Sequence, residues 1–298
     1  MASLYPSRTE ATLKFCTLLT RGPFLCALVS HAVYPLYLKL INRLQWSDAA
    51  VFALVTSLSH SIPYVVTHSF FALCDKFGWF KRHRLPRKQA QLPSKQLIVR
   101  TLIQAAVGQL TTPVIAYLMY KHVLRSPTSQ NAPMPSLTKT WAHFAGATMV
   151  NEIGFYTVHR ILHEFPWLYK NIHKQHHQYI GTISIAAEYA ALPEEIFAAT
   201  LPTIGYMMWA RVPFPIFAVW LINRLIETYE SHSGYCFRDT WPARWFGLLN
   251  AERAEFHDYH HTANVGNFGT NIFLDYLLGT MTPFLESKQR AATQKNTN

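Results

Sequence analysis

The sequence predicts an all-α membrane protein whose apolar helices cross a bilayer several times and whose histidine-rich region, on the cytosolic side, holds two metal ions. Three observations predict this class. Only 14% of the residues are charged while 50% are hydrophobic, whereas about 25% of an ordinary soluble domain is charged. Long apolar segments recur along the chain, and the histidines cluster at helical spacing.

Four apolar segments in the first half of the chain are near the length of a membrane span. A spanning helix needs about 20 apolar residues, because the hydrocarbon layer is about 30 Å thick. The candidate segments cover residues 24–41, 49–73, 101–123 and 141–158. The sequence therefore predicts repeated membrane crossings before the chain reaches its histidine clusters.

A fifth apolar segment, residues 196–226, is interrupted in the middle. Its charged residues are Arg211 and Arg224, and Pro213 and Pro215 follow Arg211 closely. Because proline ends or kinks a helix, we expect two short helices that turn near residues 209–213 and cross the membrane or dip into it. After this hairpin and the last histidine cluster the chain becomes polar, and residues 287–298 are expected to be disordered.

The net charge of +11 is concentrated in one loop. Between positions 75 and 100 the only acidic residue is Asp75, and the eight basic residues are Lys76, Lys81, Arg82, Arg84, Arg87, Lys88, Lys95 and Arg100. Apolar segments flank this basic loop on both sides, which is typical of a cytosolic loop at a membrane and argues against nucleic acid as a partner. If the spans pair up, the histidine clusters face the cytosol as well.

Three short windows contain eight of the fifteen histidines. They read HRILH at 159–163, HKQHH at 173–177 and HDYHH at 257–261. On an α-helix, residues three and four apart share one face, so each window is expected to point its imidazoles into one volume. Buried imidazoles without partners are unfavourable, and a bound metal ion removes that cost because neutral imidazole is a common ligand.

Eight imidazoles are too many for one metal ion, since a four-coordinate site would use half of them. The set suits two ions with open positions for a substrate or dioxygen. A ninth candidate, in ETYESHSGY, follows the predicted hairpin. The candidate ligands are His159, His163, His173, His176, His177, His232, His257, His260 and His261. The four cysteines lie far apart and form no C-x-x-C motif, so no zinc–thiolate site or disulfide framework is expected.

Other polar residues allow two interpretations. The isolated histidines are interpreted as packing or interfacial residues; they are His31, His60, His68, His122 and His143. Glu164 and Asp258 are neighbours of the candidate ligands in the sequence. Either could orient an imidazole by accepting its second N–H, or could be a solvated surface charge, and the sequence favours neither interpretation.

The stretches HRILHEFPWLYKNIHKQHH, ETYESHSGY and FHDYHHTANVGNFGTNIFLDYLLGT resemble the membrane fatty acid hydroxylase/sterol desaturase superfamily. Within it they are most similar to sterol C4-methyl oxidases (methylsterol monooxygenases) and related sterol hydroxylases. The resemblance covers residues 149–284. It divides the chain into an N-terminal membrane-spanning region, 1–148, a di-iron catalytic domain, 149–284, and a polar tail, 285–298.

The resemblance implies a helical membrane domain under a cytosolic helical cap, in a multi-pass protein of the endoplasmic reticulum membrane. It also implies two iron ions that use O2 to oxidise an unactivated C–H bond of a sterol or another lipid. The nine candidate histidines would be the iron ligands, with no further catalytic residue. Electrons would come from NAD(P)H through cytochrome b5 or a reductase. The alternatives are a fatty acyl or sphingolipid hydroxylase, and a non-catalytic metal-binding membrane protein.

Two departures from the pattern of these relatives matter. Sterol C4-methyl oxidases usually read AEYAHPxE after the second histidine cluster, whereas this chain reads AEYAALPEE, with Ala191 at the position of the histidine. This weakens the assignment to C4 oxidation. The chain also lacks the HPGG motif of relatives that are fused to a haem domain, so the electron donor is expected to be a separate protein.

Overall fold

The structure is a computed structural model, and it describes residues 8–124, 128–241 and 252–297. Every regular element in these ranges is helical, and the one isolated β-bridge joins Arg84 and Tyr235. The predicted all-α class is therefore confirmed.

Four long helices form the first half of the protein. They are α1 (Arg8–Leu44), α2 (Asp48–Phe77), α3 (Lys95–Leu118, extended by a π-helical turn, Met119–Val123) and α4 (Leu137–Glu164). Serine side chains cap the N-termini of three of them: Ser47, Ser94 and Ser136 accept hydrogen bonds from backbone N–H groups of the first turn. Gly78, with a φ of 67°, ends α2 in the left-handed conformation that glycine adopts without strain.

Three helical segments are long and apolar enough to cross a membrane: Ala11–Leu44, Asp48–Phe77 and Gln89–Val123. The fourth predicted span, 141–158, lies within α4 but is not among them. Helix α4 carries Asn151 and Glu152 on a buried face, and these polar residues reduce its apolar character. It nevertheless runs the length of the bundle, packed between α1 and the hairpin described next.

The interrupted apolar segment forms the hairpin that the sequence predicts. Helix α6 (Leu192–Glu194), a π-helical turn (Glu195–Thr200) and α7 (Leu201–Trp209) lead to a turn, after which α8 (Phe214–Ser231) returns. Arg211 stands in the turn with a φ of 53°. Behind the turn, the centroid of the Phe52 ring lies 5.5 Å from that of Phe214 and 5.4 Å from that of Phe217, in a buried core that also contains Trp220.

The two ends of the bundle differ in composition and role. At one end, Gln130 connects the α1–α2 and α3–α4 loops by donating to Asp48 Oδ1 (3.1 Å) and to Trp46 O (2.9 Å). At the other end, the basic loop packs against the histidine-bearing segments: Arg87 Nη1 donates to Asp258 Oδ1 (2.7 Å), and Leu85 N donates to Gly234 O (2.8 Å). The basic loop and the histidines therefore lie on the same side of the spans, as predicted.

The remaining elements form a cap over that end. They are α5 (Pro166–Asn171), two 3-10 helices (His173–Gln178 and Ser184–Glu188), α9 (Glu252–Ala263), α10 (Ile272–Leu277) and α11 (Thr282–Thr297); two more 3-10 helices, Lys81–His83 and Gln89–Gln91, lie in the basic loop. The expectation of disorder from residue 287 onward is wrong through residue 297, because α11 continues there. The buried side chains of Phe284 and Leu285 anchor this helix beside Phe256, and Lys288 forms an ion pair with Glu255.

Candidate metal centre

The ends of two bundle helices and two segments of the cap bring the nine candidate histidines together. The last turns of α4 carry His159 and His163, the first 3-10 helix carries His173, His176 and His177, residue His232 caps the C-terminus of α8, and α9 carries His257, His260 and His261. His163 is partly buried and the other eight are buried.

The nine side chains form two groups that could each hold a metal ion. The five-histidine group consists of His159, His163, His173, His177 and His260, and the four-histidine group consists of His176, His232, His257 and His261. Within each group the candidate ligand atoms all lie within 4.8 Å of one another. The two groups are adjacent, because the rings of His177 and His261 stack with their centroids 4.7 Å apart.

The division differs from the expectation that each sequence window serves one volume. His173 and His177 join one group while His176 joins the other, and His260 is separated in the same way from His257 and His261. The HKQHH cluster forms a 3-10 helix rather than an α-helix. The HKQHH and HDYHH clusters therefore each contribute histidines to both groups.

Backbone carbonyl groups determine the tautomer of five of these imidazoles. Their Nδ1 atoms lie at hydrogen-bond distance from the oxygens of Phe268 (His159, 2.7 Å), Gly266 (His260, 2.6 Å), Tyr179 (His261, 2.8 Å), Thr228 (His232, 2.8 Å) and Tyr189 (His176, 3.3 Å). A carbonyl oxygen only accepts hydrogen bonds, so each Nδ1 must carry the proton. The Nε2 lone pairs of these five rings are therefore free to bind a metal.

The Nε2 atoms point toward one another at such short distances that their lone pairs repel unless a cation lies between them. His232 Nε2 lies 3.3 Å from His176 Nε2, and both nitrogens carry lone pairs because both protons are on Nδ1. Neither atom can donate to the other, so the contact is repulsive in the neutral pair. In the five-histidine group, His260 Nε2 lies 3.1 Å from both His163 Nε2 and His177 Nε2. This donor set fits bound metal ions.

Burial also keeps the imidazoles in the neutral form that binds metal. It lowers the pKa of His163 and His176 to about 4 and that of His232 to about 3. Burial, reinforced in each case by neighbouring imidazoles, lowers the pKa of the other six well below the usual value for histidine. All nine imidazoles are therefore uncharged at neutral pH, so protons do not compete with a metal ion for their nitrogens.

Neither acidic residue singled out in the sequence contacts a candidate ligand. Glu164 is exposed and pairs with Arg160 on its own helix (2.6 Å). Asp258 accepts hydrogen bonds from Arg87 and Thr182, and so connects the basic loop to the cap. The carboxylate that does reach the site is Glu194, whose Oε1 lies 2.8 Å from His173 Nδ1 while its side chain is 9% exposed.

Sequence reasoning missed Glu194 because it is distant in sequence from His173 and belongs to the start of the predicted hairpin. The only signal in the sequence is its place in AEYAALPEE, three residues after Ala191. Of the isolated histidines, His31 bonds to Thr140 Oγ1 (3.1 Å) and His143 contacts the Tyr206 hydroxyl (3.4 Å). Neither belongs to the two groups, in agreement with their interpretation as packing residues.

Replacing Glu194 is expected to weaken metal binding. In Glu194→Ala, His173 loses the carboxylate that orients its ring and raises its basicity, and loss of such an outer partner typically lowers metal affinity by about 10- to 100-fold. Titration of the purified protein with a chelator measures this. Glu164→Ala is the matched control and should bind metal like the wild type; equal losses in both variants would contradict the role of Glu194.

Comparison with known proteins places this geometry in a family. The fatty acid hydroxylase family model matches residues 144–280, which include all nine histidines. A Dictyostelium discoideum protein, whose name assigns it provisionally to the methylsterol monooxygenases, is 30% identical over 78% of this chain and 85% of its own length. This chain belongs to the fatty acid hydroxylase family. The predicted superfamily is therefore confirmed.

Other relatives within the family carry two kinds of name. A very-long-chain aldehyde decarbonylase of Oryza sativa subsp. indica is 30% identical over 82% of this chain and 92% of its own length. Methylsterol monooxygenase 2-2 of Arabidopsis thaliana is 28% identical over 79% of this chain and 87% of its own length. No solved structure matches the chain significantly.

Proposed function

We propose that this protein is a membrane oxidoreductase, a di-iron monooxygenase that uses O2 to oxidise an unactivated C–H bond of a sterol in lipid biosynthesis. The observation that carries the proposal is the pair of adjacent, buried histidine groups at one end of an apolar helical bundle. Relatives named as methylsterol monooxygenases support the sterol as substrate. All nine histidines are proposed as iron ligands.

Iron in these groups would supply the redox chemistry that activates O2, and the chain would supply the remaining requirements. The backbone carbonyls fix five Nε2 lone pairs toward the centre, and burial excludes water from the reacting groups. The overall reaction inserts one oxygen atom into the C–H bond and reduces the other to water. It needs two electrons and two protons, and NAD(P)H supplies the electrons through cytochrome b5 or a reductase.

Sterol analysis tests the proposal directly. Cells that lack the protein should accumulate one sterol precursor and lose its oxidised product, and both should recover when the wild-type gene is restored. An unchanged sterol composition in cells that lack the protein would contradict the proposal. The same lipid extracts should be analysed for very-long-chain aldehydes, hydroxylated acyl chains and sphingolipids, because the decarbonylase names of some relatives favour this second substrate class.

Two metal ions per chain are expected in active protein. Iron should predominate, although zinc can replace it on overexpression because it binds such sites more tightly than Fe²⁺. Elemental analysis of freshly purified protein, together with O2-dependent turnover, measures both properties. One metal ion or none per chain in active protein would contradict the two-ion site, and metal without turnover would favour the non-catalytic alternative.

The basic loop and the cap are proposed to face the cytosol from the endoplasmic reticulum membrane. In a background without Cys16 and Cys236, cysteines at Ser94 and Ser287 should react with a membrane-impermeant thiol reagent once the plasma membrane is permeabilised. A cysteine at Ser129, in the loop at the opposite end, should react only after the internal membrane is dissolved. Labelling of Ser94→Cys and Ser287→Cys from opposite sides would contradict this topology.

A further inference from the structure

A row of hydrogen-bonded polar side chains lies outside the metal centre, between the membrane helices and the cap. Ser61 Oγ donates to Gln109 Oε1 (2.5 Å), and Gln109 Nε2 donates to His60 Nδ1 (2.8 Å). His60 Nε2 in turn lies 3.1 Å from Glu188 Oε1, which also accepts a hydrogen bond from the hydroxyl of Tyr229. The row thus joins α2, α3 and α8 to the second 3-10 helix of the cap.

Polar and ionisable groups inside spanning helices are unfavourable and are usually retained for a function. His60 and Gln109 both lie within candidate spans. His60 has no hydrogen-bonding capacity left, because Nδ1 accepts from Gln109 and Nε2 donates to Glu188. The sequence alone suggests that His60 is a packing or interfacial residue, whereas its hydrogen bonds in the structure hold Glu188 in place.

Glu188 has one oxygen in use and one available. Oε1 receives both hydrogen bonds of the row, while Oε2 takes part in none of the hydrogen bonds or ion pairs formed by the described residues. The side chain of Glu188 is 14% exposed and that of His60 is 22% exposed, so the protein does not fully enclose this point. The available group is an acceptor, and it therefore selects a ligand that donates.

We propose that Glu188 Oε2 accepts a hydrogen bond from the hydroxyl group of a membrane lipid, and so recognises the polar end of the substrate. This inference rests on the proposed function and names the feature by which the substrate is selected. An apolar molecule with one hydroxyl group, such as a sterol, meets both conditions: its body stays in contact with the apolar spans, and its hydroxyl satisfies the carboxylate.

The position of Glu188 connects this recognition site to the metal centre. The next residue in the chain, Tyr189, has its carbonyl oxygen 3.3 Å from His176 Nδ1. Tyr229, the second partner of Glu188, is three residues before His232 and packs on His68 with ring centroids 4.3 Å apart. A lipid held through its hydroxyl at Glu188 therefore has that end beside the four-histidine group.

Sterol binding to the purified holoprotein in detergent tests the proposal. Three probes are compared: a sterol with a free 3-hydroxyl, its 3-ketone and its 3-O-methyl ether. The wild type should bind the hydroxysterol at least about 10-fold more tightly than the ketone or the ether, since a site built to pair with a hydroxyl discriminates strongly against analogues that lack it. This comparison needs no variant. Equal affinity for the three sterols, or no binding of any of them, would overturn the inference.

The isosteric variant Glu188→Gln gives a sharper test. Its amide oxygen can keep the hydrogen bonds from His60 and Tyr229, while the NH2 group replaces Oε2 and turns the acceptor into a donor. The variant should therefore lose the preference for the hydroxysterol over the ketone by about 10-fold or reverse it. Glu286→Gln, which changes an exposed carboxylate on α11, should keep the wild-type preference.

The outcomes separate this inference from the proposed function. A Glu188→Gln protein that contains its metal and still prefers the hydroxysterol would overturn the role of Glu188. If the cellular sterol composition depends on the protein but the three sterols bind alike, the proposed function stands and the inference fails. If the hydroxyl is recognised but the sterol composition does not depend on the protein, the inference stands and the proposed function fails.

Discussion

His260→Ala is expected to abolish turnover and to empty the five-histidine group. His260 is fully buried, and its Nε2 lies 3.1 Å from the corresponding atoms of two neighbours, His163 and His177. Its removal leaves a gap in the centre of the group that no nearby side chain fills. Because loss of an outer partner alone typically lowers metal affinity or activity by about 10- to 100-fold, loss of the ligand itself should exceed that range.

The measurements are O2-dependent turnover and metal content of membranes that contain equal amounts of protein. Insertion should be unchanged, because the substitution lies in the cap and not in the apolar spans. His31→Ala is the control, since His31 lies in α1 and bonds only to Thr140 among the described residues. If His31→Ala were as damaging as His260→Ala, the division between ligand and packing histidines would be wrong.

Gly266→Ala is expected to disrupt the metal centre without changing any histidine. Gly266 has a φ of 61°, and a Cβ atom there would lie 2.2 Å from the backbone oxygen of Thr280. The backbone would have to move, and with it the Gly266 carbonyl that fixes the tautomer of His260 at 2.6 Å. We expect loss of metal together with a clear drop in the thermal stability of the cap.

Gly279→Ala separates the two possible causes of this metal loss, which are the contact of the new Cβ with Thr280 and the strain of a positive φ. Gly279 also has a positive φ, 76°, but no atom lies within 4 Å of the position of its Cβ. The control therefore keeps only the left-handed backbone strain, about 1–2 kcal/mol, and should retain its metal. If both variants lost metal equally, conformational strain rather than the contact with Thr280 would explain the result.

Several features of the protein could be predicted from local sequence patterns. Runs of apolar residues predicted the long helices, and two prolines after Arg211 predicted the turn of the hairpin. The histidines at positions 159, 163, 173, 176, 177, 257, 260 and 261 were identified because helical spacing places them on common faces, and such spacing depends only on nearby residues. His232 was found from its position at the end of the hairpin.

Features that depend on contacts between distant segments could not be predicted in this way. The division of the histidines into two groups follows from how α4, α8 and α9 pack around a 3-10 helix, which the spacing alone does not specify. Glu194 and Glu188 come to His173 and His60 from a different part of the chain. Likewise, the polar tail forms a helix because Phe284 and Leu285 are buried against the cap.

The sequence by itself therefore determined the all-α membrane class, the family and the identity of the candidate ligands. The class resides in composition, eight of the ligands in short-range periodicity, and the family in the resemblance of contiguous motifs to those of known members. Only the tertiary structure decided which nitrogen faces the centre in five of the imidazoles, because that depends on backbone carbonyls such as those of Phe268 and Tyr179. It also decided which carboxylates reach the site. A hydrogen bond between residues that are about 80 or more positions apart in the sequence forms only when packing brings the two atoms within about 3 Å.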